Sequence, residues 1–143
     1  MIAIGCDHGG YDLKEKVKAY LEGKGITVDD KGCYSKDSVD YPAIGHAVAK
    51  AVANGECEKG IVICTTGIGI SISANKVPGV RCALCADSFS AKMTRLHNDA
   101  NVLAMGAGIV GENLALEIVE TFISTAFSNE ARHQRRIDLI EQI

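Results

Sequence analysis

Apolar and polar positions alternate along the chain on two length scales. Short apolar runs at 2–6, 26–30, 60–64, 81–85 and 101–105 have the length of strands, and between them apolar positions recur at helical spacing. Leu13, Val17, Tyr20 and Leu21 mark one helix, Ile44, Ala47, Val48, Ala51 and Val52 a second, and Phe89, Met93 and Leu96 a third. Ala115, Ile118, Val119, Phe122 and Ile123 form another apolar face, and a last helix is expected to start near Asn129 as its N-cap and to run to the C-terminus. This alternation predicts an α/β fold: one doubly wound, Rossmann-like, five-stranded parallel sheet with helices on both faces. No internal repeat, low-complexity tract or Pro/Gly/Ser-rich linker divides the chain, so residues 1–143 are expected to form a single domain. Ligands of such sheets bind beyond the C-terminal ends of the strands, so the loops after the runs are where chemistry is sought.

Composition narrows the classes. A length of 143 residues with 47% hydrophobic content suffices for one core, and a formal net charge of -3 gives no basic excess to attract nucleic acid or an anionic membrane surface. The opening MIAIGCDHGG lacks the charged start and apolar run of a signal peptide, and no apolar run reaches the roughly 18 residues of a membrane span. A cytoplasmic location is expected. The six cysteines lie mostly in strand-like segments, where a reducing compartment keeps them as free, buried thiols. Cys82 and Cys85 form a C-x-x-C, but residues three apart on a strand point to opposite faces, which argues against a redox or zinc pair.

The loops concentrate the polar chemistry. Strand one ends in Cys6-Asp7-His8-Gly9-Gly10, where an acid adjoins an imidazole; the bland alternative is an Asp capping the next helix beside an exposed His. Strand three ends in Cys64-Thr65-Thr66-Gly67-Ile68-Gly69-Ile70-Ser71, leading into a helix that reaches about Asn75. Backbone N–H groups there can approach an oxyanion, and the helix N-terminus favours a thiolate at Cys64, against the commoner alternative of a structural cysteine closing the strand. Strand four leads into a helix expected to end in Arg95-Leu96-His97-Asn98-Asp99-Ala100-Asn101, a dense polar run before strand five, able to hold sugar hydroxyls or simply to cap that helix. Three of the five arginines lie in Arg132-His133-Gln134-Arg135-Arg136; Arg132 and Arg136 share a helical face suited to gripping a phosphate, the alternative being a solvated basic face. Gly106-Ala107-Gly108-Ile109-Val110-Gly111 matches G-x-G-x-x-G, but it follows the last strand, with no later strand to carry the acidic residue that holds a ribose, and is read as a packing feature.

Taken together, CDHGG, ICTTGIGISISANKVPGVR, RLHNDANVLAMG and RHQRRI resemble, in order and over nearly the whole chain, the ribose-5-phosphate isomerase type B family. The resemblance implies interconversion of ribose 5-phosphate and ribulose 5-phosphate, without metal or cofactor, in a homodimer whose sites combine residues of both subunits, with pairing into tetramers left open. By matching positions, Cys64 resembles the base that removes the proton beside the carbonyl, and Thr65, Thr66, Gly67, Ile68 and Gly69 the segment that stabilises the oxyanion, with Thr66 also among the catalytic positions. His97 resembles the acid/base that opens the furanose ring, with Asp7 as polar partner; Asn98 matches a substrate-binding amide; Arg132 and Arg136, with His8 nearby, resemble the phosphate grip. Thr65 stands where many members have Gly, Gly108 where many have an Arg that contacts substrate, and Glu130-Ala131 where a Gly-Gly often precedes the Arg-His pair. A second branch of the family uses Glu as base at the position of Ile70, which cannot take a proton, so the chain aligns with the cysteine branch.

Two other readings remain open. A galactose-6-phosphate or allose-6-phosphate isomerase shares this layout, although ISANK and HNDAN look closer to the ribose-phosphate branch. A non-catalytic sugar-phosphate-binding module could use the same sheet. The four histidines, His8, His46, His97 and His133, form no H-E-x-x-H, and no paired C-x-x-C set builds a closed metal site, so activity is expected to need no metal.

Overall fold

A computed structural model describes residues 1–143. Five strands and six α-helices alternate: β1 (Ile2–Cys6), α1 (Tyr11–Gly23), β2 (Val28–Asp30), α2 (Tyr41–Ala53), β3 (Lys59–Cys64), α3 (Ile68–Asn75), β4 (Cys82–Leu84), α4 (Ser88–Asn98), β5 (Val102–Gly106), α5 (Glu112–Ser124) and α6 (Ala131–Glu141), with one turn of 3-10 helix at His8–Gly10. Every pairing is parallel, in the order β2-β1-β3-β5-β4. The expected α/β, doubly wound sheet is therefore present, and its order reverses between β1 and β3. There the loops after the two strands diverge to opposite faces and open a crevice.

The central strands are apolar throughout because both faces are covered. On β3, Ile61 and Ile63 face one side with Leu103 and Met105 of β5; against them pack Leu13, Val17 and Leu21 of α1 and Ala115, Ile118, Val119 and Phe122 of α5. Val62, Cys64, Val102 and Ala104 face the other, under Val48, Ala49 and Val52 of α2 and Ile70 and Ala74 of α3. The period of two along each strand thus builds two cores. Cys82 and Cys85 fall in opposite cores, as strand alternation requires, and burial pushes their thiols up to about 12 and about 11. All six cysteines are free.

Three expectations are corrected. Phe89 is 71% exposed and Met93 and Leu96 are only half-buried; α4 buries Ala91 and Arg95 instead. Arg95 belongs in the core because its guanidinium donates to the Thr125 and Ala100 carbonyls and to the Asp99 carboxylate, and lies over the Phe122 ring, so its charge is paired and its stem packed. Asn129 does not cap the last helix: it takes a left-handed φ of 60°, and α6 starts after Glu130 and ends at Glu141. The polar run before β5 does not stay helical to Asn101, because Asp99 turns left-handed at φ 44° and ends α4 at Asn98.

Candidate active site

The first wall of the crevice is the loop after β1. The Asp7 N–H donates to the Ile63 carbonyl (3.1 Å), and the Asp7 carboxylate accepts from the N–H groups of Gly9 (2.9 Å) and Gly10 (3.1 Å). Asp7 is thus a buried cap, the bland alternative being correct for its hydrogen bonds, while its carboxylate still sits at the mouth of the crevice. Gly10 is required because a Cβ there would lie 2.6 Å from the Ile63 carbonyl oxygen. His8 is exposed, and its Nδ1 accepts from the Val39 N–H (3.2 Å), so the segment between β2 and α2 fixes the imidazole's orientation.

The second wall is the loop after β3. Cys64 is the last residue of β3 and only 4% exposed, and the Gly67 N–H donates to its sulfur at 3.1 Å. That geometry exists because Gly67 has φ 79°, and a Cβ on it would strike the Met105 backbone at 2.7 Å. Thr66 is exposed, with Oγ1 accepting from the Ile68 N–H (3.2 Å). The N–H groups of Gly69 and Ile70, in the first turn of α3, make no hydrogen bond within the chain and are available to an oxyanion. Thr65 is exposed and its hydroxyl lies against Gly9, so the two walls touch. The loop after β5 closes the floor: the Ala107 and Gly108 N–H groups donate to the carbonyls of Cys64 and Thr65, both at 2.8 Å, and a Cβ on Gly106 would meet the Thr66 backbone at 2.5 Å. Gly106 and Gly108 of that motif serve packing, as expected, whereas a Cβ on Gly111 would meet nothing within 4 Å.

Asp7, His8, Cys64, Thr65, Thr66, Gly67, Ile68 and Gly69 are therefore gathered in one crevice. His97, Asn98, Arg132 and Arg136 are not part of it. Helix α4 leaves the C-terminal end of β4 and runs back against the strands, so its last residues lie about 15 Å from its start. Arg81, just before β4, donates to the carbonyls of Asn98 (2.8 Å) and Asp99 (3.1 Å), which pins this end to the opposite edge of the sheet. His97 stacks on His133 of α6, with ring centroids 4.3 Å apart and 15° between planes. Arg132 and Arg136 flank His133 along α6; all but His133 in this second group are exposed, and the only ion pair among the two arginines is Arg132 with Glu130 at 3.0 Å. Asp99 and Asn101, by contrast, serve the fold: Asp99 pairs with Arg95 at 2.8 Å, and the Asn101 side chain accepts from the Arg81 N–H and donates to the Gly79 carbonyl, both at 2.9 Å.

Two contributors escaped the sequence reading. His133 is 5% exposed and holds the His97 ring, and its pKa is driven down by burial, with the charges of His97 and Arg132 adding to it. The signal, an i+1 position beside Arg132 on an otherwise exposed helix, is too generic to single it out. Tyr41, at the start of α2, packs so closely on Gly69 that a Cβ there would lie 2.5 Å from its ring. No group of three His, Cys, Asp or Glu side chains converges to hold a metal ion, and no helix is long and apolar enough to cross a membrane.

A family model described as Ribose/Galactose Isomerase matches residues 2–140. The chain is 46% identical over 142 residues to ribose-5-phosphate isomerase B of Escherichia coli, covering 99% of this chain and 95% of that one. It is 41% identical over 143 residues to the galactose-6-phosphate isomerase subunit LacB of Clostridium acetobutylicum, covering 100% and 83%. Its fold superposes on the solved ribose-5-phosphate isomerase B of Clostridium thermocellum with a TM-score of 0.97 at 52% identity, covering 99% of this chain and 95% of that one.

Proposed function

The chain belongs to the ribose/galactose isomerase family, and from that premise we propose that it is an aldose–ketose isomerase that interconverts ribose 5-phosphate and ribulose 5-phosphate through an enediolate. The observation that carries the reading is the Gly67 N–H aimed at the Cys64 sulfur at the point where the sheet order reverses. The sulfur so held, beside the N-terminus of α3, faces the crevice as its base. It removes the proton from the carbon beside the carbonyl and returns it to the neighbouring carbon. The electron pair moves onto the oxygen, where the free N–H groups of Gly69 and Ile70 and the rest of the Thr65–Gly69 segment receive the charge. The Thr66 hydroxyl is the group that passes a proton between the two substrate oxygens. Backbone donors suffice for the enediolate, so the chemistry asks for no metal or cofactor.

His97, Asn98, Arg132 and Arg136 carry the remaining roles: ring opening, hydroxyl binding and phosphate binding. Since they stand at the other edge of the sheet from Cys64 in their own chain, a second copy supplies them, and the working unit is a homodimer with two shared sites. Arg132 and Arg136 grip the phosphate together with His8 of the crevice. The reaction is a step of the pentose phosphate pathway, and we place it in the cytoplasm. Identity to the ribose-5-phosphate isomerases B of Escherichia coli and Clostridium thermocellum, 46% and 52%, exceeds the 41% to the galactose-6-phosphate subunit, which favours the five-carbon substrate. The test is turnover of ribose 5-phosphate, allose 6-phosphate and galactose 6-phosphate by the pure protein. The highest kcat/KM is expected for ribose 5-phosphate; preference for galactose 6-phosphate would move the chain to the other branch, and binding of all three without turnover would make it a binding module.

A further inference from the structure

Beneath the crevice lies a pair of thiols that the isomerisation does not use. Cys6 and Cys33 place their sulfurs 3.6 Å apart, within reach of a bond. Their backbones are already joined as neighbours: the Cys33 N–H donates to the Cys6 carbonyl at 2.8 Å, and the Cys6 N–H donates to the Gly32 carbonyl. This extends the β1–β2 pairing beyond Asp30, where the Lys31 N–H donates to the Ile4 carbonyl at 2.8 Å. Lys14, fully buried, donates to the Cys33 carbonyl and to both Asp30 oxygens, which anchors the start of the segment that follows.

Both cysteines connect directly to the crevice. Cys6 precedes Asp7, and Cys33 opens the segment in which the Val39 N–H donates to His8 Nδ1. A disulfide needs its sulfurs about 2.05 Å apart, so closure must draw the two segments together by rotation of two short side chains and a small shift of the backbone. That shift acts on the residues holding Asp7 and His8.

We propose that Cys6 and Cys33 are a modification site, a thiol pair that hydrogen peroxide closes to a disulfide, weakening sugar-phosphate binding at the adjoining Asp7–His8 loop. Cys33, at 7% exposure against 0% for Cys6, meets the oxidant first. Its sulfur attacks one peroxide oxygen, the O–O bond breaks, and the products are a sulfenic acid and water. The Cys6 sulfur then displaces the hydroxyl group from Cys33, the S–S bond forms as the S–O bond breaks, and the Cys6 proton leaves with the hydroxide as a second water. Two thiols and one peroxide thus give one disulfide and two waters. Burial and the adjacent Cys33 hold the Cys6 thiol far above its ordinary range, which disfavours its thiolate and makes this second step the slow one.

The effect on binding rests on the isomerase reading; the disulfide does not. Cys64→Ala, which removes the crevice thiol, is treated with hydrogen peroxide, digested without reduction and mapped by mass spectrometry. A peptide joining Cys6 to Cys33, lost on reduction and absent from a Cys64→Ala/Cys33→Ser variant, is the expected result. Calorimetry with ribose 5-phosphate then compares the oxidised and reduced Cys64→Ala protein, and the oxidised form should bind roughly tenfold or more weakly, in line with the cost of small displacements in a site. Peroxide that leaves Cys6 and Cys33 alkylatable, or drives Cys33 to sulfinic acid without the joined peptide, overturns the proposal. A disulfide that leaves binding unchanged overturns its second half. Failure of the reduced protein to bind ribose 5-phosphate would count against the isomerase reading and leave the mapped disulfide standing.

Discussion

Lys14→Met tests the platform on which the first wall of the crevice rests. Lys14 has no exposed surface; its ammonium lies 2.9 Å from each Asp30 oxygen, with the Cys33 carbonyl as third acceptor and the rings of Tyr11 and Tyr34 at 5.4 Å and 5.2 Å. Burial alone would lower the Lys14 pKa, but the hydrogen bonds and charge of Asp30 outweigh it and the net direction is up. Burial would likewise raise Asp30, yet Lys14, the Gly32 N–H and Lys18 bring it down. Methionine keeps most of the stem's apolar contact and removes only the charge. Breaking a buried pair by deleting one partner costs about 3–5 kcal/mol; Asp30 keeps Lys18 at 3.3 Å and the Gly32 N–H at 2.9 Å, so the lower end applies. A loss of roughly 3 kcal/mol corresponds to a Tm lower by roughly 6–12 °C for a chain of this size. The pH dependence follows from the directions. Asp30 titrates below its unfolded value, so its contribution is present in full above about pH 4 and is lost as pH falls through the folded value. Lys14 titrates above its unfolded value, so its contribution holds at neutral pH and is lost only as pH rises through the folded value. Urea unfolding at fixed protein concentration should show the full gap at pH 7 and a narrower one below pH 4, and Asp30→Asn added to Lys14→Met should recover part of the loss. A Lys14→Met protein within about 0.5 kcal/mol of the parent at pH 7, within the usual range of surface substitutions, would refute the reasoning.

Four further outcomes follow from the site. Gly67→Ala forces a side chain into the Met105 backbone at a left-handed φ and should cost about 1–3 kcal/mol in unfolding and most of the activity; an unchanged midpoint would mean the turn is not constrained. Arg132→Ala or Arg136→Ala should weaken ribose 5-phosphate binding by roughly 10- to 150-fold and free ribose hardly at all, as loss of a charge-assisted contact worth about 1.5–3 kcal/mol requires; equal effects on both sugars would make the pair mere surface charge. His133 titrates below its unfolded value, so the unfolded chain takes up the proton first and stability should fall as pH drops through about 6.5; His133→Phe should abolish that slope, and a slope that survives would place its origin elsewhere. Mixing inactive Cys64→Ala with inactive His97→Ala should restore about a quarter of the activity through hybrid dimers that carry one intact site. No recovery after subunit exchange would mean each chain completes its own site.

The fold was legible because it rests on two periodicities. All five apolar runs form strands, and β1, β3 and β5 are apolar without alternation since both their faces are covered. Boundaries slipped where a single residue's conformation decides them, as at Asp99 and Asn129, whose left-handed turns leave no apolar signature. The buried face of α4 was misread because Arg95 reaches into the core by its stem and pairs its charge there, which hydropathy counts as exposure. Of the candidate site, the loops after β1 and β3 could be found from the sequence because a doubly wound sheet dictates where its ligand crevice opens. The distance between Cys64 and His97 could not. It depends on α4 running back against the strands and on Arg81 holding its last turn, facts of packing that no spacing in the chain records.

Cys64 acting as the base is the step on which the isomerisation depends, and solvent proton exchange reads it directly. With ribose 5-phosphate in deuterated water, the parent protein should exchange the proton carried between the two carbons at a rate comparable with turnover. Cys64→Ala should lose that exchange by ~10²–10⁴-fold, while calorimetry shows ribose 5-phosphate still bound with nearly unchanged affinity. Exchange at a near-normal rate in Cys64→Ala would contradict the central claim and shift the base to Asp7, the only other ionisable side chain buried in the crevice.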